Sequence, residues 1–366
     1  MNLTGHHVYS LRPAHARGRH GSAPLDPVVA CTLALGGLHW RRHSGPMRLY
    51  ADSQFAAFIH ALGLGWLYDA GIDTAVLDSM PDSIRQDTFW VAAKVFAYGA
   101  APLPAAFLDV DLVAWQPPVN WQDFDLTFLH REFTGRADGA GYSFPPGYRR
   151  PEYPWDGEEF NLGFLILNNR VLRDEFFAES VRYMTNNPGD DPFNHACFAE
   201  QYILAQCAKA RGAKANALLS APPHDESVVT HLWGEKQKLR EQPVRAWALV
   251  NRYITRLKQD FPQHASGLNG MFAWALSTAE RTARGTQNRH RITPELLRRG
   301  FRPASGIFLA PAGPALSQRR SLARPALAPV RRSGLSPAGR HPPGNPVGRR
   351  SPDRNSRGTL LAKRSN

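Results

Sequence analysis

Cysteine is scarce: Cys31, Cys197 and Cys207 are the only three in 366 residues. They are too few and too scattered for a disulfide framework, and no Cys-x-x-Cys pair offers a zinc site. A reducing compartment is the simple expectation. Long apolar runs are missing as well. Val28 to Leu38, the longest near the start, reaches about half of a bilayer span. The opening, Met1 to Arg19, carries histidines and arginines without a following apolar core and small-residue cleavage site, so no secretory leader is expected. The expected location is cytoplasmic, with peripheral attachment at the inner face of the membrane as an option. No repeat of 20–50 residues is visible, which excludes a solenoid.

The body also lacks an excess charge of one sign. The whole chain carries +13, which taken alone suggests a nucleic-acid partner. Yet residues 303–366 hold twelve Lys and Arg against one acid, Asp353, and the first 302 residues hold 32 basic and 30 acidic groups. The basicity belongs to the tail, and no specific nucleic-acid binding is expected of the body. That tail has ten prolines, seven glycines and eight serines in 64 residues. It cannot bury enough apolar surface to offset the entropy of ordering, so it reads as a disordered extension. Its role would be a weak electrostatic contact with an anionic membrane surface.

What the chain does have is aromatic residues in number, nine Trp, ten Tyr and nineteen Phe, enough for a substantial core. Strand-like and helix-like stretches alternate. Val8 to Leu11, Arg48 to Ala51, Thr74 to Leu77 and Ala105 to Leu108 read as strands. Pro27 to Trp40, Ser53 to Gly63 (capped by Asp52 or Ser53) and Asp87 to Tyr98 (stopped by Gly99) read as helices. Such alternation implies an α/β fold with a mostly parallel sheet covered on both faces. Ligands gather at the carboxyl ends of strands in such sheets, where Asp52 and Asp109-Val110-Asp111 stand.

The heptapeptide Phe107-Leu108-Asp109-Val110-Asp111-Leu112-Val113 is the most informative in the sequence. Aspartate is disfavoured in strands and costly to bury unpaired. Two aspartates one residue apart after an apolar strand make sense around a hard divalent cation, Mn²⁺ or Mg²⁺, shared with substrate phosphates. The plainer alternative is a turn in which each Asp caps a nearby amide.

The stretch Lys94 to Trp115 resembles the corresponding part of nucleotide-sugar glycosyltransferases of the GT-A fold, closest to the bacterial capsular-polysaccharide type and more loosely to the glycogenin-like type. That resemblance implies a GT-A-like mostly parallel sheet flanked by helices, and an Asp109-x-Asp111 that holds the metal bridging the donor diphosphate. A basic residue from the preceding helix would assist, and Arg85 and Lys94 are the candidates. Leu49-Tyr50-Ala51-Asp52 resembles the second strand of these enzymes, which places Tyr50 and Asp52 near the nucleoside. Glu159 to Asn168 resembles their Asn-x-Gly strand. There Gly163 allows close backbone approach, and Asn161 offers a donor and an acceptor to sugar hydroxyls. His231-Leu232-Trp233-Gly234-Glu235-Lys236 resembles the late His-x-x-Gly-x-Lys element. It implies His231 as third metal ligand and Lys236 on the leaving diphosphate. Glu200 and Gln201 match a family helix facing the acceptor, with Gln201 taken as substrate-binding. Glu132, in His130-Arg131-Glu132, is the carboxylate most apt to reach the cleft. The Arg-Tyr pair common in the capsular group is absent, with Ala93-Lys94-Val95-Phe96 in its place.

Together these expectations describe a hexosyltransferase that moves a sugar from a nucleoside diphosphate donor to a glycan or lipid-linked acceptor, in cell-surface polysaccharide synthesis. The late element leans towards retention of configuration. The expected division is a catalytic domain over residues 1–240, a helical extension over 241–302 and the tail over 303–366. Two other readings compete. Asp109-Val110-Asp111-Leu112-Val113 also fits the signature of haloacid-dehalogenase-like phosphatases, with Asp109 as nucleophile. A transferase-like protein that only binds a partner is the other.

Overall fold

The computed structural model describes residues 2–18, 24–133, 144–149, 151–153, 156–189, 191–220 and 227–290, with side chains to 285. All fall in the unit Met1–Ala312. The basic tail lies outside the described residues.

β1 (Gly5–Tyr9) begins earlier than the strand expected at Val8 to Leu11, because Ser10 and Leu11 turn into α1 (Arg12–Ala16), whose Pro13 suits a first helical turn. α2 (Pro27–His43) is capped by the Asp26 carboxylate on the Val28 amide and is buried along nearly its whole length. β2 (Met47–Ala51) leads to Asp52, which caps α3 (Ser53–Ala61) through the Phe55 amide. β3 (Ile72–Asp73) is short. Thr74 to Leu77, expected as a strand, instead enters α4 (Ala75–Asp78), because the Asp73 carboxylate accepts from the Val76 amide at 3.3 Å and starts a helical turn. α5 (Ala92–Ala100) begins later than the helix expected from Asp87 and runs through Gly99. Gly99 is no stop signal: a Cβ there would lie 2.6 Å from the Phe177 ring, so the residue permits close helix packing.

β4 (Ala105–Leu108), β5 (Leu112–Ala114), β6 (Leu126–Phe128) and β7 (Arg131–Phe133) follow. The segment expected as one strand from Glu159 to Asn168 is two, β8 (Glu158–Phe160) and β9 (Phe164–Leu167), parted by a turn at 161–163. α6 (Arg170–Met184), α7 (Pro192–Cys197), a π-helical turn Phe198–Tyr202 and α8 (Ile203–Ala210) come next. β10 (Ala215–Ala217), β11 (Val229–His231), α9 (Glu235–Glu241), α10 (Pro243–Asp260) and α11 (Asn269–His290) complete the described chain.

The main sheet runs β10-β6-β9-β4-β1-β2-β3. Its neighbours are parallel except β9, which lies antiparallel between β4 and β6. This mostly parallel, helix-flanked sheet is the α/β architecture expected from the sequence, and it is consistent with the GT-A-like arrangement that the resemblance implies. Period-two alternation divides the core between its faces. Ala106 and Leu108 of β4 join one apolar cluster with Leu33 and Trp40 of α2, Tyr253 of α10 and Met271 of α11. Ala105 and Phe107 join the other, with Val95 of α5, Phe176 of α6 and Leu204 of α8. Two small ribbons stand apart from the sheet, β5 with β11 and β7 with β8, both antiparallel. Their first strands follow the carboxyl ends of β4 and β6, so both ribbons stand at the end of the sheet where ligands bind.

Candidate active site

The site grows from the abrupt end of β4. Asp109 donates its amide to the Gly163 carbonyl at 2.8 Å, and the Leu112 amide returns to the Asp109 carbonyl at 2.9 Å. The chain thus bends through Asp109-Val110-Asp111 and leaves the main sheet as β5. β11 pairs with β5 so that His231 stands opposite Leu112, and the Leu232 amide donates to the Asp111 carbonyl at 3.1 Å. That register carries His231 to both carboxylates. Its Nε2 lies 3.6 Å from Asp109 Oδ2 and 3.8 Å from Asp111 Oδ1. One ligand atom from each of the three residues lies within 4.8 Å of the others.

Gly163 makes this approach possible. A Cβ at that position would sit 2.5 Å from His231 Cε1, so the imidazole rests directly on the turn between β8 and β9. His231 Nδ1 is buried and has no hydrogen-bond partner. Two carboxylates and one imidazole held this closely form a donor set that could hold a divalent cation.

Two lysines flank the carboxylates. Lys94, on α5, places Nζ 2.9 Å from Asp109 Oδ1 and 2.6 Å from Glu200 Oε1, and donates to the Leu162 carbonyl at 3.3 Å. One helical turn on, the Tyr98 hydroxyl donates to the same Glu200 oxygen at 2.7 Å. Burial would lower the Lys94 pKa, but Asp109 and Glu200 outweigh it and hold the ammonium charged, its pKa well above the usual value. For Asp109, burial pushes upward while Lys94, then His231 and Lys236, pull harder and hold its carboxyl well below the usual range. Burial raises the Glu200 carboxyl, opposed by Lys94. Lys236, in the first turn of α9, lies 2.9 Å from the buried Asp111 Oδ2.

A polar patch adjoins this cluster. The Asn161 side chain donates to Glu132 Oε1 at 2.7 Å and accepts from the Gly163 amide at 3.0 Å. Glu132 also lies 3.7 Å from His130 Nε2. Gln201 sits in the π-helical turn beside Glu200, and its amide oxygen is buried with no hydrogen-bond partner. Single π-turns often mark functional positions.

The structure therefore brings together Asp109, Asp111, His231, Lys236, Lys94, Gly163, Asn161 and Glu132, with Gln201 next to Glu200. The remaining expected residues have other settings. Tyr50 is core, its ring 5.5 Å from that of His6. Asp52 spends one oxygen on the α3 cap and the other on the Ser10 hydroxyl at 2.7 Å and the Leu11 amide. Arg85 is exposed, pairs with Asp87 at 2.7 Å and donates to the Pro188 carbonyl. Of the two basic candidates, Lys94 is the one at the carboxylates. Tyr98 was not foreseen. Its signal is the Lys94–Tyr98 spacing, which puts both side chains on one face of α5. Glu200, expected with Gln201 on a helix facing the acceptor, is held by Lys94 and Tyr98 beside Asp109.

No family model and no curated protein matches the sequence. Among solved structures, the chain is similar to the glycosyltransferase GlyE of Streptococcus pneumoniae TIGR4, at 13% identity over 60% of this chain and 46% of that one, TM-score 0.28. The match thus spans less than half of the GlyE chain. It is also similar to an active-site mutant of LgtC, at 13% identity over 63% of this chain and 86% of that one, TM-score 0.28.

Proposed function

We propose that the protein is a metal-dependent glycosyltransferase that moves a hexose-type sugar from a nucleoside diphosphate donor to a hydroxyl of a glycan or lipid-linked acceptor. The observation that carries this reading is the meeting of Asp109, Asp111 and His231 within 4.8 Å, with Lys236 at 2.9 Å from Asp111. Asp109, Asp111 and His231 would hold Mn²⁺ or Mg²⁺, which when bound supplies Lewis-acid neutralisation of a diphosphate. Lys236 reaches the same place from α9 and would stabilise negative charge growing on the leaving group in a cleft of low dielectric. Lys94 fixes the orientation of Asp109 and Glu200 against each other. Asn161, held by Glu132 and Gly163, would position sugar hydroxyls, and the unpartnered Gln201 oxygen is a ready acceptor for one more.

Tyr50 and Asp52 would act on the nucleoside only indirectly, by shaping the ends of β1 and β2. We place the reaction in cell-surface polysaccharide synthesis at the cytoplasmic side of a membrane. Among the described residues, no helix is long and apolar enough to cross one.

The test is nucleotide release. With Mn²⁺ and a panel of UDP-, GDP- and CMP-sugars, one donor should be hydrolysed slowly and only with metal. Silence across the panel, with turnover of a simple phosphomonoester, would assign the protein to the phosphatase reading instead.

A further inference from the structure

Trp233 is a large apolar side chain left 49% exposed, and it sits between the metal-ligand candidate His231 and Lys236. Its exposure does not come from a loose loop. The Leu232 amide is tied to the Asp111 carbonyl at 3.1 Å, and the Glu235 amide closes back on the Leu232 carbonyl at 3.1 Å. Leu232 itself is buried, and Gly234 turns the chain at φ +74° into α9. The indole is therefore presented by a fixed turn. Its ring meets the His130 ring edge-on at 6.2 Å. His130 in turn lies beside Glu132, whose carboxylate binds Asn161. An apolar aromatic surface thus borders the polar patch of Glu132 and Asn161.

We propose that Trp233 is the platform on which the acceptor sugar stacks, so that the acceptor is a pyranoside presenting a face of C–H bonds. This inference rests on the glycosyltransferase reading and adds the acceptor's class and site to it. A pyranose ring has the two surfaces that the patch offers to match. Its axial C–H bonds give an apolar face that an indole covers, while its equatorial hydroxyls point outward to carboxylate and amide groups. Leaving an indole exposed forgoes the free energy of burying it, and a stacked sugar recovers that burial. Stacking also fixes the plane of the acceptor ring, which leaves Glu132 and Asn161 to choose the hydroxyl presented to the donor.

The experiment compares the full-length parent with Trp233→Ala and Trp233→Phe. The probes are methyl β-glucoside, methyl β-galactoside and lactose, followed by saturation-transfer NMR in diamagnetic Mg²⁺ with a nucleoside diphosphate. Binding of the nucleoside diphosphate to each variant serves as the check on folding. In the parent, saturation should fall on ring C–H protons of one face. Trp233→Ala should weaken the bound pyranoside about tenfold, the size of one aromatic contact, and Trp233→Phe should recover most of the loss. Equal pyranoside binding by Trp233→Ala and the parent would overturn the platform while leaving the donor site standing. So would a parent that binds nucleotide but no pyranoside. A parent that binds neither nucleotide nor metal would instead overturn the underlying glycosyltransferase reading.

Discussion

Alanine at position 163 would put a methyl group 2.5 Å from His231 Cε1, where no side chain can stay. The ring must then leave the carboxylates. Gly163→Ala is expected to weaken Mn²⁺ binding at least about tenfold, while the thermal midpoint moves by only a few degrees. Mn²⁺ titration by electron paramagnetic resonance checks this; unchanged affinity would mean that His231 is no ligand. Lys236 tests a different step. It lies on Asp111 but is placed on the leaving group, so Lys236→Ala should cut kcat by about 10²-fold and alter donor affinity far less. A loss confined to KM would assign Lys236 to ground-state binding. At this scale the acidic pair was legible because an apolar four-residue strand ended in two acids that burial makes costly. The choice between Arg85 and Lys94 was not, since both precede the motif on the same stretch and only the start of α5 at Ala92 separates them.

Elements set where these side chains stand, and α10 and α2 reach the site through one chain of contacts. The Trp115 indole donates to the Thr230 hydroxyl at 2.8 Å, next to His231. Arg256 of α10 lies over the Trp115 ring at 4.9 Å and pairs with Asp260. His39 of α2 meets the Trp115 ring edge-on at 4.8 Å and Asp260 at 3.2 Å. Thr230→Val keeps the shape of the side chain but leaves the indole N–H unpaired. It should cost about 1–3 kcal/mol in urea unfolding and loosen β11 enough to weaken Mn²⁺ binding, whereas Thr230→Ser should restore both. Stability loss with unchanged Mn²⁺ affinity would show that β11 is held by its pairing with β5 alone. The elements themselves were read best where a cap or a continuous apolar run marked them, as at Asp52 before α3 and Ala105 to Leu108 in β4. Thr74 to Leu77 misled because its β-branched and apolar residues suit a strand, while the deciding contact is local, Asp73 to the Val76 amide. The split of β8 from β9 falls at Asn161-Leu162-Gly163, where the Gly163 amide donates to the Asn161 side chain and closes a turn that reads in sequence as the middle of one strand. The Tyr98–Glu200 contact joins residues far apart in sequence that only the folded chain brings together.

Over the whole molecule, two buried histidines on β1 tie stability to pH. Burial lowers His6 to about 3, with Arg48 and then His7 adding to the effect, and its ring lies against Tyr50 and Phe107 with no hydrogen-bond partner. Burial lowers His7 to about 4, opposed by Asp109. Both are neutral in the folded chain. Below the ordinary value of 6.5 the unfolded chain takes up protons that the folded chain refuses. Stability is therefore full above that value and falls as pH drops towards 4, by about 1.4 kcal/mol per pH unit for each residue. His6→Phe should reduce the acid slope of urea stability by about one proton; an unchanged slope would mean that His6 is protonated in place. The central claim is that Asp109, Asp111 and His231 hold a cation that in turn holds a nucleoside diphosphate. The most direct measurement is calorimetric titration of UDP, GDP and CDP into the protein with Mn²⁺ and with EDTA, for the parent and for Asp109→Ala. One nucleotide should bind the parent in Mn²⁺ and lose its affinity both in EDTA and in Asp109→Ala. Binding to Asp109→Ala in EDTA as tight as that of the parent in Mn²⁺ would contradict the account.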